Sequence, residues 1–124
     1  MPLLEIKNLS VSIPTPDGDV QAVRAVSLDI ERGEIHGVIG ESGCGKTMTG
    51  MATLGLVPKG ARIKADRFHF DGEDLRENAV RLRGRRIGLI SQDPAAALNP
   101  VLSIASQMDD VIRAHRDMPR SARR

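Results

Sequence analysis

The chain is predicted to adopt an α/β fold in which an antiparallel β layer precedes a parallel core. Three observations predict it. Residues from Glu5 to Ile13 alternate in polarity and are followed by a turn and a returning apolar stretch, which gives the antiparallel layer. The apolar run Ile35-His36-Gly37-Val38-Ile39 leads into Gly40-Glu41-Ser42-Gly43-Cys44-Gly45-Lys46-Thr47 and then into a proline-free segment, an order of strand, glycine-rich loop and helix. A second apolar run, Arg86-Ile87-Gly88-Leu89-Ile90-Ser91, supplies a further core strand.

The elements follow in order. Residues 3–13 read as a strand with one polar face, and residues 14–19 as a turn whose strongest signal is Asp17-Gly18. Residues 20–30 bring the chain back, and residues 31–34 turn it into the buried parallel strand 35–39, where His36 is expected to be a satisfied core histidine. Residues 48–56 carry Met48, Met51, Ala52 and Leu54 and read as a helix ending near Gly55, before Pro58. After a linker at 58–60, residues 61–70 read as a strand, Asp71-Gly72 as a turn and residues 75–82 as a short charged helix. Residues 95–100 read as a loop. Ser103 is placed to cap a helix running from Ile104 to about His115. Asp117-Met118-Pro119-Arg120-Ser121 has the pattern of another helix start, with Pro119 at its first position.

Gly40 to Thr47 fits G-x-x-x-x-G-K-[ST], the phosphate-binding P-loop. Such a loop wraps a triphosphate with backbone N–H groups, and its glycines permit the close approach and positive φ that a Cβ resists. Lys46 is expected to reach the β- and γ-phosphates and the Thr47 hydroxyl to sit on Mg²⁺, with the following helix presenting its partly positive end to the anion. ATP and Mg²⁺ are therefore the expected ligands. Gly40, Glu41, Ser42, Gly43, Cys44, Gly45, Lys46 and Thr47 are the candidate binding residues. Cys44 reads either as a small residue tolerated at a free position of the motif or as a thiol whose oxidation or alkylation blocks phosphate binding.

Composition limits the alternatives. At 124 residues the chain can form one small domain, and with 40% apolar residues and only Phe68 and Phe70 as aromatics its core is expected to be aliphatic. No run approaches the length of a membrane span, and no signal segment opens the chain. A single cysteine excludes an internal disulfide and fits a reducing cytoplasm. The net charge is +2, with arginines concentrated at residues 81–86 and from Arg113 onward. Neither cluster has interleaved aromatics for base stacking, so they read as solvated surface, with Arg116 complementing a helix end, and no nucleic-acid partner is expected.

In this order the parts resemble the ATP-binding subunit of ABC transporters, in particular the oligopeptide and dipeptide importer branch. Thr15-Pro16-Asp17-Gly18-Asp19-Val20 resembles that branch's early hairpin, residues 37–47 its Walker A segment, and Ile90-Ser91-Gln92-Asp93-Pro94 with Leu98-Asn99-Pro100 its Q-loop. The likeness covers essentially the whole chain but only about the first half of such a domain. It implies an ABC ATPase core at residues 1–100, truncated before Walker B, and the start of a helical subdomain at residues 101–124. It also implies that Gln92 touches Mg²⁺ and the attacking water, and that transmembrane subunits and a second ATP-binding subunit are the partners. On that reading the protein lies in the cytoplasm, on the inner face of the membrane, without inserting. Val101, Leu102, Ile104, Met108, Val111 and Ile112 could serve docking or simply a core face. Two positions depart from the pattern. Ile13 stands where an adenine-stacking aromatic is usual, which removes about 1–3 kcal/mol by analogy with base–aromatic contacts, and Ser91 stands where Phe is usual.

Hydrolysis needs a second carboxylate for Mg²⁺ and a group that orients water. The family supplies these from an apolar strand ending Asp-Glu, a Leu-Ser-Gly-Gly signature and a later histidine, and none of these is found here. Asp93 is followed by Pro94, and His69 and His115 lack the matching context. The chain alone is therefore expected to bind ATP·Mg²⁺ but not to turn it over. Two alternatives remain at the level of sequence: a non-catalytic module docking on transporter membrane subunits, and a small P-loop kinase.

Overall fold

A long hairpin organises the first part of the molecule. Strand β1 (Leu4–Thr15) pairs antiparallel with β2 (Gly18–Ile30). The apolar residues of β1 are out of phase: Ile6 is even-numbered, whereas Leu9 and Val11 are odd, yet all three are buried. A strict two-residue period cannot place them on one face. The structure resolves the conflict with register shifts in the ladder and positive φ at Asn8 (52°) and Ala25 (48°). Backbone N–H groups at these irregularities donate to serine hydroxyls, Asn8 to Ser27 and Ala25 to Ser10. The hairpin closes through Pro16-Asp17, with Thr15 opposite Gly18 (φ 113°).

The structure, a computed structural model, describes all residues except Met118 and Arg124. It divides into two compact units, Met1–Leu82 and Arg83–Arg124. In the first, the expected strand at 61–70 is two strands, β3 (Arg62–Lys64) and β4 (Arg67–Phe70), both antiparallel to β1. The short β5 (Glu73–Asp74) continues from β4, so the sheet runs β2-β1-β4-β5 with β3 also on β1. Helices α1 (Lys46–Thr53) and α2 (Leu75–Leu82) complete the unit. α1 begins two residues earlier than the sequence suggests. Gly55, just past its end, lies so close to Ala79 of α2 that an added Cβ would meet the alanine methyl at 3.1 Å.

The core consists of Ile6, Leu9, Val11, Val23, Ala52, Leu54, Phe68, Phe70, Leu75, Ala79 and Leu82. The expectation of an aliphatic core needs correcting: both aromatics are buried, and Phe68 is the largest fully buried side chain. Adjacent strands β1 and β4 bring Ile6 opposite Phe68, so the sheet centre is filled by the bulkiest residue available.

The expected parallel core strands are a second correction. Residues 35–39 form no strand and are exposed, with Ile35 and Ile39 almost wholly so; His36 is exposed as well. Residues 86–91 form no strand beyond an isolated bridge between Arg83 and Ile87. An apolar run becomes a buried strand only when neighbours supply both its hydrogen bonds and its cover. Every pairing between the named strands is antiparallel, and three of the four, all but β4 with β5, involve β1.

The second unit is helical. Residues expected as loop contain the single turn α3 (Pro94–Ala97), because the Asp93 carboxylate accepts the N–H groups of Ala95 and Ala96 and Pro94 occupies the first helical position. Helix α4 (Ile104–His115) starts where expected, with the Ser103 hydroxyl accepting from Ser106 N–H, and Arg116 ends it. Residues Arg120–Arg123 form a 3₁₀ turn in which Ala122 N–H bonds to Pro119 carbonyl. Of the helix start expected at 117–121, Met118 lies outside the described residues.

Candidate functional site

The glycine-rich segment joins the hairpin to α1, and two of its glycines are required by geometry. Gly45 has φ 98°, and a Cβ there would meet the Ala22 carbonyl oxygen of β2 at 2.6 Å. Gly43 has φ 81°, also left-handed. The loop is thus pressed against β2 at Gly45, which fixes where α1 begins.

α1 opens with donors rather than acceptors. Its first hydrogen bond is Thr49 N–H to Gly45 carbonyl, reinforced by the Thr49 hydroxyl at 2.8 Å. The N–H groups of Lys46, Thr47 and Met48 therefore have no partner within the helix. No side chain caps this end, and its first turn holds no acidic residue. The Lys46 ammonium donates to the carbonyls of Gly40 (2.6 Å) and Glu41 (2.7 Å) and lies 3.4 Å from the Cys44 sulfur. Gly40, Glu41, Cys44 and Lys46 are thereby gathered around one positive charge. Ser42, Gly43, Cys44 and Thr47 are exposed.

This donor set fits a polyphosphate: an ammonium, a helix end with uncommitted N–H groups and a threonine hydroxyl stand within one short segment. It also fits Mg²⁺ held partly by phosphate oxygens, since that ion keeps most of its shell as water and phosphate and asks little of the protein. Among the described residues no cluster of three His, Cys, Asp or Glu side chains could hold a metal by itself.

Upstream, the turn at 31–34 is tied by Glu34. Its carboxylate accepts the Glu31 N–H and faces His36 at 3.0 Å. These contacts, the Glu31 backbone bond first, hold the Glu34 carboxyl below its ordinary range.

Gln92 lies in the second unit, exposed, in the irregular stretch before α3. Ser91 beside it turns its hydroxyl to the Asp93 carbonyl. Ile13 stands in β1 opposite Val20, half-buried. Sequence reasoning missed two participants. One is Ala22, whose carbonyl forbids a side chain at position 45. The other is Gln107, whose amide accepts from Asn99 N–H (2.9 Å) and donates to the carbonyls of Asn99 (3.0 Å) and Leu102 (3.1 Å). A polar residue between apolar positions of a helix was the only available signal for Gln107.

Comparison with known proteins agrees with this geometry. The chain is 40% identical to the dipeptide transport ATP-binding protein DppD of Bacillus subtilis, over 98% of its own length and 38% of the relative's. It is 44% identical to the probable D,D-dipeptide transport ATP-binding protein DdpD of Escherichia coli, over 96% and 38%. It is 36% identical to the oligopeptide transport ATP-binding protein OppD of Bacillus subtilis, over 97% and 35%. The chain thus spans less than two fifths of the length of these relatives. The ABC transporter family model matches residues 23–123, a stretch that takes in β2 from Val23 onward, the lysine-centred loop and the Gln92 segment alike. With most of its length inside that match, the chain belongs to the ABC transporter family.

Proposed function

We propose that this chain is part of the ATP-binding subunit of a peptide-importing ABC transporter, and that it grips ATP·Mg²⁺ through Gly40 to Thr47. The observation that carries the reading is the Lys46-centred loop at the uncapped start of α1. The main-chain N–H groups of Gly43, Gly45, Lys46 and Thr47 bind phosphate oxygens, Lys46 neutralises the β- and γ-phosphates, and the Thr47 hydroxyl with Gln92 would hold the metal side. Bound Mg²⁺ offsets charge on the transferring phosphoryl group. Cleavage also needs a second carboxylate on Mg²⁺, and no apolar strand ending Asp-Glu stands in this sequence, so on this reading the chain by itself binds ATP·Mg²⁺ without turning it over. Residues 1–100 serve as the first part of the ATPase core and residues 101–124 as the start of its helical subdomain.

The partners on this reading are transmembrane permease subunits and a second ATP-binding subunit, at the cytoplasmic face of the membrane. No helix among the described residues is long and apolar enough to cross a membrane. Ile104, Met108 and Val111, four and three residues apart on α4, are all exposed, which favours docking on such a partner as a second role that needs no ATP. Calorimetry tests the first reading: ATP with Mg²⁺ should bind the chain, and Lys46→Ala should weaken binding by at least about tenfold. Phosphate release should stay at background. Failure of a folded sample to bind millimolar ATP overturns the proposal, and so does strong turnover abolished by Lys46→Ala.

A further inference from the structure

Asp-Gly occurs twice in the chain, at Asp17-Gly18 and Asp71-Gly72, and each pair lies in the tight turn of a hairpin. Such a bond is open to rearrangement of the main chain, because glycine has no Cβ to shield its amide nitrogen from the preceding carboxyl group. The two turns treat that carboxyl group differently. The Asp71 carboxylate is engaged by the Arg32 guanidinium, and the Asp71 N–H is committed to the Leu3 carbonyl at 2.7 Å. Asp71 (φ 50°) and Gly72 (φ 81°) are both left-handed, the combination that closes a two-residue hairpin tightly. Asp17 keeps a negative φ and is exposed. Among the described residues no hydrogen bond or ion pair holds its carboxylate. The space around Gly18 is open as well: an added Cβ would meet nothing within 4 Å, whereas at Gly72 it would meet the Met1 methyl at 3.7 Å.

We propose that Asp17-Gly18 is a modification site at which the chain isomerises to isoaspartate, and that the fold holds Asp71-Gly72 against the same change. The Gly18 nitrogen attacks Cγ of Asp17. The OH of the carboxyl group, protonated by solvent, leaves with the Gly18 amide proton as one water, and a cyclic imide forms. Water then adds to one of the two imide carbonyls. Opening at Cγ restores aspartate. Opening at the former main-chain carbonyl leaves the chain running through Cβ and Cγ, with a free α-carboxylate. No atom is gained or lost over the cycle, the charge is unchanged, and no oxidant takes part. At Asp71 the oxygen that must leave is held by Arg32. The rerouted main chain is one methylene longer, and turn length fixes the register of a hairpin. The end of the ladder, Thr15 with Gly18, Pro14 with Asp19 and Ile13 with Val20, therefore opens in the product. Val11 with Val23, both buried, stops the change there and leaves the seat of Gly45 on Ala22 in place. The inference stands apart from the nucleotide-binding reading and does not rest on it.

Peptide mapping of the full chain, kept folded at neutral pH in heavy-oxygen water, tests this. Trypsin frees residues 8–24, which contain Asp17, and residues 68–76, which contain Asp71. The first peptide should gain a second chromatographic peak that carries oxygen from the solvent. That peak should accept a methyl group from S-adenosylmethionine when an isoaspartyl carboxyl methyltransferase is added. The Asp71 peptide should do neither, and Asp17→Glu should abolish the new peak. In urea both peptides should split alike, because only the fold separates the two sites. A single Asp17 peak from the folded chain overturns the proposal, and so does a new peak that survives Asp17→Glu. Splitting of Asp71 at a matching rate in the folded chain overturns its protection, and splitting of Asp17 alone in urea assigns the difference to sequence neighbours instead of the fold. In nuclear magnetic resonance spectra the isomerised chain should show shifts at residues 13–20 and none at Val23 or in the glycine-rich loop. Unshifted signals at residues 13–20 overturn the change of register.

Discussion

Gly45 shows how a single residue fixes the candidate site. Its φ of 98° and the Ala22 carbonyl 2.6 Å from any Cβ are separate obstacles to a side chain. The first is a local backbone cost, the second a collision with a strand held in the sheet, and neither relaxes without moving the loop off β2. Gly45→Ala should therefore destabilise the first unit by about 2–3 kcal/mol, seen as a lower urea midpoint with unchanged slope, and should weaken ATP binding beyond what the stability loss explains. A variant of wild-type stability would mean that the loop does not press on β2. The glycines, the lysine and the threonine were all legible in the sequence, because the motif encodes the backbone path directly. Ala22 was not, since it acts through its main-chain oxygen and nothing in the identity of an alanine announces that.

At the scale of elements, patterning identified the hairpin, α2 and α4 but mistook two apolar runs for strands. Period and composition report what a segment could bury, not whether a neighbour exists to bury it. Residues 35–39 and 86–91 have strand composition and lack a ladder, whereas β1 has an imperfect alternation and is the hub of the sheet. The bulge that brings Ile6 and Leu9 to one face was hidden because a two-residue period leaves no room for an extra residue. The start of α2 offers a test on the acid side. The Asp74 carboxylate accepts the Arg76 N–H and pairs with its guanidinium, which also reaches the Ala65 carbonyl. Hydrogen bonding from the Arg76 side chain holds the Asp74 carboxyl below its ordinary value of 3.8. A carboxyl whose folded value is depressed stabilises the protein above its unfolded value, and that contribution is lost as pH falls through the folded value. Asp74→Asn keeps the cap and removes the charge, so it should cost roughly 0.5–1 kcal/mol at pH 7, a figure kept small by partial exposure. In urea melts the gap between wild type and variant should narrow steadily below about pH 4 and close once the wild-type carboxyl is protonated. A gap that persists at the acid end would assign the effect to shape rather than charge.

For the molecule as a whole, burial is distributed unevenly. Every buried apolar residue among those described lies between Ile6 and Leu82, and none lies in the second unit. Cooperative unfolding is then a property of the first unit, and the apolar runs outside its core contribute little to it. Ile39 and Ile90 make the sharpest test, because sequence patterning puts both in core strands and the structure leaves both 98% exposed. In a core strand, removing such a side chain costs about 2–5 kcal/mol. From a solvated position, Ile39→Ser and Ile90→Ser should each change stability by less than about 0.5 kcal/mol, while Ile6→Ala, in the sheet centre, should cost the full core amount. Both serine variants should also lower the tendency to self-associate at high concentration, because they reduce contiguous exposed apolar surface. The comparison is made with urea melts followed by circular dichroism for the three variants side by side. A loss at Ile39 as large as that at Ile6 would place residues 35–39 inside a sheet after all, and the antiparallel layer would then be only one face of the folded unit.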